Sequence, residues 1–159
     1  MGGATRLAVL TLVVPICIAA CVQRPFEIPP VTSVAGTYKV SAWPDVCGPA
    51  PAATSDRSST RIVLRSDGTA QIVNLPSCYV SFPHHRTSVF LSGIGRWTLL
   101  KDPYKVVCVE LEIEPGGSLP AGVYESIEIR NWRPPYELYF EIGDPDSKDW
   151  LAFARADAA

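Results

Sequence analysis

The chain has no excess of basic charge, no apolar run long enough to cross a bilayer, no sustained helical periodicity and no known catalytic motif. Each absence excludes something. Formal net charge is −2 at pH 7, so no basic field exists to gather phosphates along a nucleic acid, and nucleic-acid binding is not expected. The apolar run at residues 7–20 (LAVLTLVVPICIAA) has about 14 residues where a spanning helix needs roughly 20, and Pro15 interrupts it. A permanent transmembrane helix is disfavoured. There is no Gly-x-Ser-x-Gly elbow for a nucleophilic serine, and the two histidines are adjacent rather than dispersed, so an enzyme has little to build on. What remains is 159 residues, 47% hydrophobic and 19% charged, which suits one globular domain.

The first twenty residues differ from all that follow. A short basic segment ending at Arg6 precedes the apolar run, the order of an export signal. Ordinary cleavage after Ala20 would place bulky Ile18 where a small residue is wanted. Myristoylation of Gly2 would need Ser or Thr where the chain has Arg6. Ile18-Ala19-Ala20-Cys21, by contrast, resembles the lipobox of bacterial lipoproteins. That resemblance implies that Cys21 receives a diacylglyceryl group, that residues 1–20, Cys17 included, leave as signal peptide, and that the mature chain is anchored by three acyl chains. One chain anchors marginally, whereas two or more hold stably. Val22, in place of the Asp that retains such proteins at the inner membrane, implies the outer membrane if the organism has one.

Residues 21–34 follow as a lipidated cysteine and Pro-rich tether, with Pro25, Pro29 and Pro30, expected to be extended and to hold the domain about 30 to 40 Å from the membrane. Residues 35–155 carry short runs of Val, Ile, Tyr, Trp and Phe separated by Gly, Pro, Asp and Ser, the pattern of an antiparallel all-β domain; residues 156–159 are a tail. Strands are expected at 37–43, 60–65, 69–75, 95–100, 105–113, 123–132, 137–142 and 149–155, with a short edge strand at 89–91. In KVVCVELEI, Val107, Val109, Leu111 and Ile113 share one face while Cys108, Glu110 and Glu112 share the other. Eight successive strands in a meander leave two unpaired edges unless the sheet closes, so a closed up-and-down barrel is expected, with a two-sheet sandwich as the alternative. Gly36-Thr37-Tyr38 and Gly95-Arg96-Trp97 loosely resemble the Gly-x-Trp opening of lipocalin-like barrels, which implies a lipocalin-like architecture.

Cys47, Cys78 and Cys108 belong to the domain, and outside the cytoplasm three thiols allow three single pairings. Cys47 and Cys78 both lie in irregular segments beyond strand ends and are the favoured pair. Cys78 with His84 and His85 could alternatively gather a zinc ion, although the spacing fits no zinc motif and a solvated loop is the simpler reading. Asp144, Asp146 and Asp149 offer carboxylates to calcium, but Lys148 and Asp149 stand where the calcium loop needs Asp or Asn and then Gly; a hairpin turn fits better. Glu110, Glu112 and Glu114 read as solvated acids of an outer strand face. No catalytic residue, cofactor or metal is expected.

Trp43, Trp97, Trp132 and Trp150 with Tyr38, Tyr124, Tyr136 and Tyr139 could line a cavity for a small apolar ligand or could fill the interior. The leading expectation is a membrane-tethered, non-enzymatic envelope lipoprotein whose barrel binds a ligand or a protein. Ser92-Gly93-Ile94-Gly95-Arg96-Trp97 is also faintly similar to the Ser-Gly-containing loop of membrane-bound lysozyme inhibitors, which implies, as an alternative, inhibition of a cell-wall-degrading enzyme. A metal-dependent enzyme centred on Cys78, His84 and His85 is the third possibility.

Overall fold

The computed structural model of the protein describes residues 27–49, 59–76, 78, 90–104, 106–116, 123–131, 133–142 and 149–156. Residues 18–21 with Cys21, His84 and His85, Asp144 and Asp146, and Trp132 lie outside the described residues.

Eight strands follow a single helical turn, α1 (Val31–Val34): β1 (Gly36–Ala42), β2 (Arg61–Leu64), β3 (Thr69–Pro76), β4 (Phe90–Lys101), β5 (Val107–Ile113), β6 (Val123–Arg130), β7 (Glu137–Glu141) and β8 (Trp150–Arg155). Each pairs antiparallel with the next, and β1 pairs with β8 through Tyr38↔Arg155 and Lys39↔Ala154, so the sheet closes in chain order. The closed antiparallel meander expected from the strand count is what forms, and the sandwich alternative falls away. Closure leaves no row of unpaired backbone groups.

Alternation decides which residues fill the barrel. Val107, Val109, Leu111 and Ile113 are buried on β5, as the KVVCVELEI pattern requires, and Ile127 and Ile129 on β6 and Leu138 and Phe140 on β7 continue the layer. From the other half come Tyr38, Ile62, Leu64, Ile72 and Phe153, all essentially without solvent exposure. Phe140 and Phe153, diagonal neighbours on the paired strands β7 and β8, touch inside the barrel with ring centroids 5.4 Å apart. Large side chains fill the described interior at this diameter, which is the ordinary outcome for eight strands.

One end of the barrel is closed by the segment expected to be free tether. Pro29 and Val34 are buried, and α1 is held by two side chains from the strands that zip the barrel shut. The Tyr38 hydroxyl donates to the Val34 carbonyl at 2.6 Å, and Arg155 Nη1 donates to the Ser33 carbonyl at 2.8 Å. The expectation of an extended tether through residue 34 is therefore corrected for residues 29–34. A four-residue turn behind two prolines is too short to leave a periodic signal.

The short edge strand expected at 89–91 is also corrected. Leu91 belongs to the twelve-residue β4, paired with Leu75, and a register shift between Ile72 and Leu75 keeps the pairing continuous. Asn74 takes a φ of 52° at that shift, and its backbone N–H donates to Ser92 Oγ at 3.0 Å. Gly93 and Gly95 hide the strand in the sequence, yet closeness to β5 demands Gly95: a Cβ there would collide with the Glu112 carbonyl. At the β2–β3 turn Gly68 adopts a φ of 83°, and the Asp67 carboxylate accepts from the Thr69 N–H and hydroxyl. Trp97 anchors this turn from inside, its indole donating to the Arg65 carbonyl at 2.8 Å.

Candidate functional site

The same alternation that fills the interior places Cys108, Glu110 and Glu112 of β5, Tyr124, Ser126, Glu128 and Arg130 of β6, and Glu137, Tyr139 and Glu141 of β7 on the outside. Register turns these rows into a surface: Cys108 lies opposite Glu128, Glu128 opposite Tyr139, and Glu141 opposite Trp150 on β8. Where β4 turns into β5, the Asp102 carboxylate accepts from the Val106 N–H at 2.7 Å and the Asp102 N–H donates to the Val106 carbonyl at 2.9 Å. That double bond pair fixes a turn carrying Tyr104, which is 87% exposed. Between turn and strands lies a groove of about 340 Å³, lined among others by Asp102, Tyr104, Cys108, Glu128, Tyr139 and Glu141.

Beside the groove, a wall of side chains holds a cation from the chain itself. The Arg130 guanidinium lies 4.1 Å from the Tyr139 ring centroid and 4.2 Å from that of Trp150, and its Nε donates to Glu128 at 3.2 Å. The two rings meet edge-on, 6.2 Å apart. Each ring presents its negative face to the guanidinium, a favourable arrangement for a cation that has left part of its water. The Tyr139 hydroxyl donates to Glu137 at 2.9 Å, which completes the wall.

Electrostatics follow from the acids. Burial pushes the Cys108 thiol above its ordinary value, a hydrogen bond with Ser126 opposes the shift, and Asp102, Glu128 and Glu110 add to it. A thiol held protonated in acidic surroundings is a poor nucleophile. Burial also raises Tyr139, helped by its bond to Glu137 and opposed by Arg130. A hydrogen bond to Glu110 raises Tyr124, with the Glu110 and Glu112 charges acting in the same direction. The outer faces of β1, β2 and β4 carry the bases Lys39, Arg61 and Arg96, and register sets Arg96 beside Glu112 of β5.

The structure joins Cys47 to Cys78, with Cα atoms 5.3 Å apart, and leaves Cys108 free. Cys78 is thereby unavailable as a zinc ligand beside His84 and His85. Asp149 sits at the base of a β7–β8 connection, where its carbonyl accepts from the Ile142 N–H at 3.0 Å. Glu110, Glu112 and Glu114 occupy outer positions, as expected of solvated acids. The aromatic set splits: Tyr38, Trp97 and Tyr136 are buried, Trp43 is partly buried, and Tyr124, Tyr139 and Trp150 are outside. Ser92 lies on the outer face within β4 rather than in a loop, and Trp97, five residues along, points inward.

Sequence reasoning missed Asp102, Tyr104, Glu128, Arg130, Tyr139 and Glu141 as one surface. Its signal was present as glutamates alternating with apolar residues in VELEI, YESIEIR and ELYFE, but the rows become neighbours only once the meander order is assumed.

No protein family, curated protein or solved structure was found to match the chain.

Proposed function

We propose that this protein is a lipid-anchored, non-enzymatic lipoprotein of the bacterial envelope whose barrel recognises a ligand or partner on its outer surface. The observation that carries the binding half of this reading is the filled interior: Tyr38, Leu64, Leu111, Phe140 and Phe153 occupy the space that an enclosed apolar ligand would need. The lipobox of residues 18–21 supports the anchoring half. Inhibition of a cell-wall-degrading enzyme stays a second reading, favoured by the acidic groove, which complements a basic protein surface; Ser92 contributes little, because its hydroxyl is engaged by the Asn74 backbone.

Metabolic labelling with palmitate in a lipoprotein-processing bacterium tests the anchor. The natural chain is expected to take label and sediment with membranes, and Cys21→Ser to take none. An unlabelled natural chain overturns the anchored reading.

A further inference from the structure

We propose that the groove beside Arg130 is a binding site for an organic cation, a primary alkylammonium or a guanidinium. The proposal rests on the outer-surface binding reading and names its ligand class. At about 340 Å³ the groove lies at the lower end of small-molecule sites, roughly 300 to 1,000 Å³. Its carboxylates come from Asp102, Glu128 and Glu141, and only Glu128 is ion-paired to a described base, Arg130. Glu141 is exposed and has no partner among the described residues. An anion or an apolar molecule is a poor occupant of such a lining.

A second observation points to the same chemistry. Arg130 is a guanidinium already seated on this surface, between the Tyr139 and Trp150 rings with Glu128 at its Nε. The groove next to it repeats those parts, with Glu141 and Asp102 as carboxylates and the Tyr104 and Tyr139 rings as walls, and adds a depth that reaches the buried Cys108. A metal ion is the weaker occupant, because among the described residues no three His, Cys, Asp or Glu side chains converge on one point. An ammonium or guanidinium needs no such convergence; it accepts spread carboxylates and ring faces together. The supports are rigid, being strand positions and the doubly bonded Asp102–Val106 turn.

Calorimetric titration of the full chain, held in an uncharged detergent, with 1,5-diaminopentane and separately with hexalysine tests the site. Saturable binding is expected at about 20 mM ligand, where even a Kd near 1 mM is satisfied. Glu141→Lys should weaken it by roughly tenfold or more, while Arg61→Gln on β2, a strand that borders none of the groove strands, leaves it unchanged. Glu141 is exposed at a strand end, so its replacement leaves the fold intact, which circular dichroism checks. Preference for the diamine assigns a free amine, and preference for the peptide assigns a lysine-bearing protein; either result supports the site. No heat with either ligand, or equal binding by Glu141→Lys, overturns it. Amine binding by a chain that takes no palmitate removes the anchor and keeps the site, whereas labelling without amine binding does the reverse.

Discussion

Gly95 shows how tightly single positions are constrained. Its Cα lies so near β5 that a Cβ would sit 2.7 Å from Ile113 Cα, and backbone cannot swing aside as a side chain can. Gly95→Ala is expected to cost about 1 to 3 kcal/mol, read as a lower denaturant midpoint; an unchanged midpoint would refute the close approach. Cys108 offers a pH test. Its raised thiol pKa means that the folded state holds the proton more firmly than the unfolded chain does. The associated stability is fully present below the ordinary thiol value and is lost as pH rises above it through the higher folded value. The raised phenols of Tyr139 and Tyr124 act with the same sign. Denaturant midpoints should therefore fall on the alkaline side, less steeply in Cys108→Ala. A thiol that alkylates in the native state as fast as in the unfolded one would contradict its burial.

At the scale of elements, the Cys47–Cys78 bond ties the short turn Asp45–Cys47 after β1 to the chain leaving β3. With 31 residues of separation, its loss through Cys47→Ala is expected to lower stability by about 3 to 4 kcal/mol on the chain-entropy view, measured by equilibrium unfolding. Tyr38→Phe removes the bond to the Val34 carbonyl and should cost about 1 kcal/mol, showing that α1 is part of the barrel. The elements most legible in the sequence were those whose period is strict. β5 was readable residue by residue because Val107, Val109, Leu111 and Ile113 alternate without interruption. β4 was read in two pieces because Gly93 and Gly95 interrupt its apolar pattern, and Gly95 answers to packing against β5, which a local window does not contain. α1 was unreadable because its cause is tertiary: Tyr38 and Arg155 hold it in place from 4 and 122 residues away.

For the whole molecule, closure was legible from strand count and meander order, whereas the candidate site was not. The groove draws on the β4–β5 turn and on β5, β6 and β7, and no single segment carries its character. The packing of Pro29 and Val34 makes the segment before β1 part of the barrel. Native mass spectrometry of the protein purified from a lipoprotein-processing bacterium, with detergent stripped in the instrument, tests anchor and filled interior together. The expected mass is that of the chain from Cys21 with a three-acyl modification and one disulfide, and no apolar passenger. An unmodified Cys21, or a stoichiometric apolar molecule released only when the barrel unfolds, would contradict the account.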